Sequence, residues 1–377
     1  MYTPKIPMAN LVSPNMPMPS RPDSTRPGAL GFPRRAHRLV RLLAGRHNIL
    51  ITTHEHPDPD ALAACIGMRE FLSQLLPQAE VTVSFKGRIG GGLNSIFAQY
   101  SGHHAEAWDA SALPVHDAIV LVDCQPSFSH SPLPAGINAT AVVDHHPTVR
   151  GKSYSAAFID VRRNVGASCS IVYGYFHEMG MTVPRDVSAL MLFGIESDLA
   201  GVAGVPGKLD NLAVSNLFLS ADARAYHEIR YVDLPRSYYI SFYRALQNAV
   251  LYGRAMTSFL GEVDSPEQPA VMADMLLRSE GVDWVLAAGV HEGSLLLSLR
   301  TFKPERPAGK IMTRLVRRLG EGGGHPTKAG GSIRLTTGSD EEIRRHLELV
   351  RRRLLRSLRI KGERAIPLVP DTEVHAR

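Results

Sequence analysis

Four apolar runs in the first half of this 377-residue chain lead into side chains that can bind a metal ion. Residues 49–52, 118–122 and 141–143 are typical of buried strands, whereas residues 189–195 fit a helix or a strand equally well. In an open parallel sheet, ligands bind beyond the carboxyl ends of the strands, so the polar groups that follow should converge. These candidate ligands are His54, Asp58, Asp60, Asp123, Asp144, His145, His146 and Asp198.

The donor atoms of this set indicate which metal ion would bind. Carboxylate oxygens and imidazole nitrogens without thiolates suit Mn²⁺ or Mg²⁺ better than structural zinc. One ion would not need so many ligands, whereas two would. Sites with two such ions mostly cleave phosphate esters, and the pattern therefore predicts a phosphoesterase centre.

Each motif also has an ordinary structural explanation. The segment 54–60 could be an acidic, Pro-rich surface turn, and both Asp123 and Asp198 could cap a helix. Cys124, next to Asp123, is expected to be a small buried thiol rather than a nucleophile. The triplet 144–146 is the most specific motif, because three polar residues at the end of a buried strand are costly unless something satisfies them.

Composition favours a two-domain enzyme. The length exceeds that of one typical domain, and the hydrophobic fraction of 44% is ample for two cores. Three cysteines are too few for a disulfide framework and indicate a reducing compartment. No apolar run approaches the roughly 18 residues of a membrane span, and the amino terminus lacks the continuous apolar core of a signal peptide. A cytoplasmic protein without membrane contact is the expectation.

Charge is distributed unevenly along the chain. Residues 1–50 carry a net charge of +7 and residues 300–377 carry +10, while the residues between carry −11. An acidic middle that holds divalent cations between basic ends suits an anionic substrate. Solvated basic helix faces would explain the basic ends as well.

The organisation along the chain predicts two α/β domains. Residues 1–33 are expected to be disordered, 34–222 to form a doubly wound domain with a parallel sheet, and 223–252 to form a helical connector without strands. A second, smaller α/β domain is expected over residues 253–360, with strands at 257–263, 284–290, 294–298 and 332–335 and helices at 308–319 and 340–358. Residues 361–377 are expected to be a frayed tail.

The order and spacing of the first-domain motifs resemble the DHH phosphoesterase superfamily, named for the triplet at 144–146. Its members carry a His-x-x-x-Asp-x-Asp motif, a lone Asp, the triplet and a later lone Asp, as this chain does at 54–60, 123, 144–146 and 198. The resemblance covers about residues 36–360. It departs from the family at Pro59, where Gly is usual.

The second domain resembles the DHHA1-type substrate-binding domain often appended to these enzymes, with its GGGH signature and an Arg at a strand end. The Gly-rich segment 320–325 is predicted to be a loop whose backbone N–H groups bind an anion. After the His the family more often has Asn or Ala, where this chain has Thr327 and Lys328. The substrate-binding residues implied are Arg300, Gly322, Gly323, Gly324 and His325.

Within the superfamily, the compact two-domain layout resembles the nano-RNase and pAp-phosphatase group, which acts on very short RNA or DNA strands and on adenosine 3′,5′-bisphosphate. The resemblance implies two Mn²⁺ ions, or Mg²⁺, one held by His54, Asp58 and Asp123 and the other by Asp60, Asp123, His145 and Asp198. It also implies that His146 contacts the scissile phosphate and that Asp144 orients a ligand imidazole.

Four alternatives stay open at this stage. Two are sibling activities, a RecJ-like exonuclease on longer single strands and a cyclic-dinucleotide phosphodiesterase. The third is an inorganic pyrophosphatase, which shares the first four motifs. The fourth is a non-catalytic nucleotide- or RNA-binding protein. The sequence also leaves open whether the chain forms a homodimer.

Overall fold

The computed structural model describes residues 34–87, 89, 94–149, 151–199, 207–324, 326–362 and 364–370. The expected disorder of residues 1–33 therefore lies outside the described residues. None of the helices in these ranges is long and apolar enough to cross a membrane.

The first half of the chain builds a six-stranded sheet in which every paired strand is parallel to its neighbour. The strand order is β3-β2-β1-β4-β5-β6. The strands are β1 (Asn48–Thr52), β2 (Glu80–Phe85), β3 (Glu106–Ala107), β4 (Ala118–Val122), β5 (Ala141–Asp144) and β6 (Phe158–Val161). This confirms the predicted parallel α/β fold. The order reverses between β1 and β4, where open α/β sheets form their binding crevice.

Helices alternate with the strands as far as β4, whereas β4, β5 and β6 follow one another with no described helix between them, and three helices come after β6. In chain order, the helices are α1 (Arg35–Leu43), α2 (Pro59–Leu75), α3 (Ser95–Gly102), α4 (Ser168–Glu178), α5 (Arg185–Leu199) and α6 (Lys208–Ser220), and a 3₁₀ helix spans Ala110–Val115. The run 189–195, which the sequence left ambiguous, is helical and belongs to α5. The apolar run continues a helical pattern that is longer than a typical strand, and this length favours a helix.

The two faces of the first sheet are covered differently. Ile51 and Val120 point to a large core shared with α2, α4 and α5. Their neighbours Leu50 and Ile119 point to the other face, where they meet Leu113 of the 3₁₀ helix. This alternation is the ordinary two-residue period of a strand.

The second half of the chain builds a seven-stranded mixed sheet in the order β11-β12-β10-β9-β8-β7-β13. Its strands are β7 (Val250–Tyr252), β8 (Ala255–Glu262), β9 (Trp284–His291), β10 (Ser294–Thr301), β11 (Glu321–Gly324), β12 (Lys328–Arg334) and β13 (Ile366–Pro367). The helices that follow α6 are α7 (Ala223–Arg230), which packs on the core of the first half, and then α8 (Arg236–Gln247), α9 (Gln268–Leu276), α10 (Ala308–Leu315) and α11 (Asp340–Leu358). All pairs are antiparallel except β8 with β9.

Three sequence expectations are wrong here. The segment 223–252 contains a strand, β7, at its end, and the expected frayed tail pairs Ile366–Pro367 with that strand. The Gly-rich segment is not a loop, because Glu321–Gly324 forms β11 and pairs along its whole length with β12. Glycine has a low strand propensity, so only the partner strand and the close approach of α10 reveal this element. Gly309 of α10 leaves no room for a Cβ, which would lie 2.1 Å from the Gly324 carbonyl oxygen.

Candidate metal centre and cleft

The first ligand segment is placed by the start of α2. Asp58 is the N-cap of α2, and its carboxylate accepts a hydrogen bond from the Ala61 N–H at 3.0 Å. Pro59, the departure from the family pattern, occupies the first turn, where a proline is favoured because its missing N–H would have no helical partner. The substitution of Pro for Gly therefore supports the local geometry.

Asp60 is a fully buried carboxylate directed at the amino terminus of α4. Its two oxygens accept hydrogen bonds from the backbone N–H groups of Ser168 at 2.7 Å and Cys169 at 3.0 Å. Gly194 of α5 allows this packing, because a Cβ there would lie 3.1 Å from the Cα of Asp60. Burial, followed by the nearby charges of Asp123 and Asp198, raises the pKa of Asp60 well above its usual range.

Asp123 lies at the middle of the cluster, directly after β4. Its φ of 55° places it in the left-handed region, which Asp tolerates better than most residues and which turns its side chain toward the ligands. The carboxylate is 2% exposed, and the Ser168 hydroxyl donates to its Oδ1 at 2.7 Å. Burial opposes its ionisation, but the imidazoles of His146 and His145 outweigh burial and hold its pKa below the ordinary value.

The two histidines of the triplet differ in their contacts. The Nε2 of His145 is buried and makes no well-formed hydrogen bond, although it lies 3.3 Å from a carboxylate oxygen of both Asp123 and Asp198. Burial lowers the pKa of His145, but Asp123, Asp60 and Asp198 raise it to about 10. A buried imidazole nitrogen without a proper partner, surrounded by carboxylates, has the chemistry of a metal ligand.

Asp144 organises the other histidine. Its Oδ1 lies 2.8 Å from Nδ1 of His146 and accepts the backbone N–H of that residue at 3.1 Å. The Gln125 side chain donates to Asp144 Oδ2 at 2.7 Å. Burial lowers the pKa of His146, but Asp123 and Asp144 raise it to about 9. Asp144 thus fixes the orientation of His146 rather than that of His145.

Three overlapping groups of side chains bring one ligand atom each to within 4.8 Å of one another. They are Asp123, His145 and His146; His54, Asp58 and Asp123; and Asp60, His145 and Asp198. Asp123 and His145 each belong to two of the three groups, and of the two only Asp123 has a second carboxylate oxygen to offer. The residues therefore fit divalent cations, because clustered buried carboxylates need positive charge close by. Without metal, burial and Asp58 raise the pKa of Asp198 to about 6.

Opposite the ligands, the second half of the chain lines the same cavity with two cations and with the carboxylates of Asp264, Glu267 and Asp274, and the two cations are called the basic side below. The cavity has a volume of about 570 Å³, and its lining includes Asp58, His146 and Asp198 from the first half with Arg300 and Lys328 from the second. Arg300 donates through Nε to Asp274 Oδ1 at 2.9 Å. Lys328 donates through Nζ to the backbone carbonyl of Asp198 at 3.3 Å. The structure thus brings Arg300 into one cleft with the predicted ligands.

The predicted substrate-binding glycines lie in different surroundings. Gly324 lines a neighbouring cavity of about 390 Å³ together with Arg300 and Lys328. Gly322 is packed under Met312 and Val316 of α10, where a Cβ would lie 2.9 Å and 3.0 Å from side-chain carbons. His325 lies outside the described residues.

Four side chains of the site were missed as site residues in the sequence. They are Ser168, Gln125, Asp274 and Lys328. Gln125 could have been suspected from its position two residues after Asp123. Ser168 has the residue type of a helix start, but nothing local in the sequence indicates that its hydroxyl reaches Asp123.

Comparisons with known proteins agree with this geometry. The sequence model of the DHH family, N-terminal domain, matches residues 48–195. An uncharacterized protein of Methanocaldococcus jannaschii is 27% identical over 322 residues, which cover 84% of this chain and 65% of that protein. A probable manganese-dependent inorganic pyrophosphatase of Enterococcus faecalis is 27% identical over 157 residues, 40% of this chain and 47% of its own. The chain therefore spans less than two thirds of these relatives.

Solved structures share the fold at low sequence identity. An exopolyphosphatase-related protein of Bacteroides fragilis has a TM-score of 0.70 at 14% identity, covering 86% of this chain and 97% of that one. RecJ of Thermus thermophilus, in complex with Mn²⁺, has a TM-score of 0.51 at 15% identity, covering 88% and 55%. The ligand motifs and the strand order agree with the match of residues 48–195 to the DHH family, N-terminal domain.

Proposed function

We propose that this protein is a metal-dependent phosphoesterase that hydrolyses very short oligonucleotides, adenosine 3′,5′-bisphosphate, or both. The main support for this proposal is the shared cavity, in which the ligand cluster faces Arg300 and Lys328. The metal-ligand side supports phosphoester chemistry, and the basic side supports recognition of a second phosphate.

The ligand groups support two divalent ions, with Mn²⁺ preferred over Mg²⁺. His54, Asp58 and Asp123 would hold one ion, and the group of Asp60, His145 and Asp198 would hold the other together with Asp123, which the family resemblance adds. When bound, such ions lower the pKa of a shared water and stabilise charge on the leaving oxygen. The likeness to manganese-dependent and Mn²⁺-bound relatives supports this choice of metal.

The chain's own residues would position the substrate. His146 lines the cavity, and Asp144 and Gln125 keep its ring oriented, so it can contact the scissile phosphate. Arg300 would exchange Asp274 for a second phosphate of the substrate, because Asp274 is an exposed carboxylate that a stronger anion can replace. Gly324 and His325 would complete the binding of the terminal nucleotide.

The size of the cavity supports short substrates. A volume of about 570 Å³ lies within the range of small-molecule sites, roughly 300–1,000 Å³, and accommodates about one nucleotide with its phosphates. A longer single strand would need an open basic groove that tracks its backbone. This favours the nano-RNase or pAp-phosphatase activity over an exonuclease.

A hydrolysis panel with the full-length chain and Mn²⁺ tests the proposal. The substrates are adenosine 3′,5′-bisphosphate, a dinucleotide, a 20-nucleotide strand, a cyclic dinucleotide and pyrophosphate. We expect turnover to be highest on the first two. Preference for the long strand, the cyclic dinucleotide or pyrophosphate would replace the proposed substrate with the corresponding sibling activity. Absence of hydrolysis with any substrate would favour a binding protein.

A further inference from the structure

Five arginines line a cavity of about 450 Å³ between the carboxyl-terminal ends of α10 and α11. They are Arg314, Arg317, Arg318, Arg353 and Arg356, and Ser357 completes the lining. Within the part of the chain that the structure describes, no ion pair joins any of the five to a carboxylate. Like charges gathered without counter-charges repel one another, so the cluster favours an anion.

This cluster lies away from the cleft. Leu295, Leu297 and Leu299 of β10 pack in the core beneath α10 and α11. Arg300, the next residue, points to the opposite face of the sheet, where it contacts Asp274 of α9. The arginine cavity and the cleft therefore use opposite faces of the second sheet, and the cluster has no place in the proposed hydrolysis.

One of the five arginines is held by hydrogen bonds to backbone carbonyls, and the other four are exposed to solvent. Arg353 donates through Nη1 to the carbonyl oxygens of Leu315 at 2.5 Å and Arg317 at 3.0 Å. These carbonyls lie at the end of α10, where helical partners are lacking, so Arg353 joins α11 to α10. Arg314 and Arg356 are exposed at the rim. The cavity is thus a fixed concave surface with exposed basic side chains around it.

The basic surface also extends along α11. Arg345, Arg352 and Arg356 of α11 are exposed and spaced by seven and four residues, which places them on one face, and Arg359 follows as the C-cap of the helix. The helix from Arg345 to Arg356 spans about 16 Å at roughly 1.5 Å per residue. Glu348, exposed on the same face between Arg345 and Arg352, pairs with Arg351, and residues 349–359 contain no acidic side chain. A stripe of this length suits an extended anion with repeated charges rather than a single phosphate.

We propose that this arginine surface, made of Arg345, Arg352 and Arg359 together with the five cavity residues, binds the phosphodiester backbone of a single-stranded nucleic acid outside the cleft. Guanidinium groups bind phosphate oxygens in pairs of hydrogen bonds, and such contacts hold a strand without reading its sequence. The described lining contains no apolar or aromatic side chain, which argues against insertion into a membrane or stacking on bases. Binding of a strand at this surface does not require hydrolysis in the cleft.

A binding assay with matched variants tests this surface. Arg314, Arg317 and Arg356 are replaced by Ala together in an Asp123→Ala background, so that the strand survives the measurement. The control replaces Arg34, Arg41 and Arg185, which are exposed arginines of the first half, and has the same net charge. Binding of a fluorescent 20-nucleotide single strand is followed by anisotropy at several salt concentrations.

We expect the cavity variant to lose at least about tenfold in affinity. Three lost phosphate contacts should lower the slope of log K against log salt by about 2, since each contributes roughly 0.7 on a single strand. The control should bind like its parent. Equal loss in both variants, or parental binding by the cavity variant, would overturn the proposal.

Two further measurements test whether the variant keeps its fold and whether the surface binds a membrane instead. Turnover of a small chromogenic phosphodiester by the same arginine variant, with Asp123 intact, should equal that of the wild type and shows that the fold is preserved. If the wild type hydrolyses nothing, the binding comparison still stands. Co-sedimentation of the wild type with phosphatidylserine vesicles, in the absence of binding to the strand, would contradict a nucleic-acid surface.

Discussion

The two sides of the cleft are built to different degrees of rigidity. On the metal-ligand side, the carboxylates of Asp60, Asp123 and Asp144 are buried and each accepts at least one short hydrogen bond from neighbouring groups. On the basic side, Arg300 is held by an exposed Asp274 and Lys328 by a backbone carbonyl of the opposite side. Fixed geometry suits the bond-breaking step, while exchangeable partners suit the capture and release of a substrate.

The sheets explain this difference. A parallel sheet brings the ends of β1, β4 and β5 to one edge, so ligands from distant segments converge without further help. The mixed second sheet has no such common edge, and Arg300 and Lys328 meet only because β10 and β12 are antiparallel neighbours with those residues in register. Substitutions on the metal-ligand side should therefore mainly lower the rate of hydrolysis, whereas substitutions on the basic side should mainly weaken substrate affinity.

The largest effect is expected for Asp123→Ala. Because Asp123 belongs to two ligand groups, its loss should abolish measurable hydrolysis, a decrease of at least about a thousandfold or ~4 kcal/mol. Steady-state turnover on a dinucleotide measures it. Cys124→Ala is the matched control, since that thiol is buried and burial raises its pKa above the ordinary value, and it should retain turnover. Similar turnover of both variants would show that Asp123 is not at the centre.

Arg300→Ala should act on affinity rather than on the chemical step. A charged hydrogen bond contributes about 1.5–3 kcal/mol, so KM for adenosine 3′,5′-bisphosphate should rise roughly ten- to a hundredfold, with a smaller decrease of kcat. Bis-p-nitrophenyl phosphate, which has no second phosphate, should show little change. An equal loss on both substrates would place Arg300 in the chemical step and remove the contrast between the two sides.

A smaller effect is expected for Gln125→Leu, which removes the donor to Asp144 while preserving the approximate size. Loss of a group that orients the active histidines typically costs ten- to a hundredfold in metal affinity or activity, and we expect the lower end, about tenfold in kcat. The kcat on a dinucleotide and the Mn²⁺ affinity measure it. If neither changes, the Asp144–His146 pair is held adequately without Gln125.

The smallest effect is expected for removal of residues 1–33. Every candidate ligand and both basic residues of the cleft lie outside this segment. A chain that starts at Arg34 should keep dinucleotide turnover within a factor of about two. A loss of more than about tenfold, or ~1.4 kcal/mol, would show that the segment takes part in binding.

The sequence predicted that the candidate ligands lie together, because the signal for each of them is local. Apolar runs such as 118–122 are followed at once by a ligand, and strand ends in a parallel sheet converge by topology. The basic side was predicted only in part. Arg300 was predicted from the family resemblance. The approach of Lys328 to Asp198 depends on the relative placement of the two sheets, which hydrophobic periodicity in the sequence does not predict. The strand β11 escaped prediction because consecutive glycines carry no alternating pattern.

The proposed function requires that the ligand cluster holds divalent ions and that the protein hydrolyses a short phosphoester only when they are bound. The most direct measurement is the manganese content of the full-length protein after equilibration and gel filtration, together with turnover of adenosine 3′,5′-bisphosphate before and after EDTA treatment. We expect about two ions per chain, loss of turnover with EDTA and recovery on addition of Mn²⁺. A protein that retains no manganese, or turnover that is unaffected by EDTA, would contradict the account.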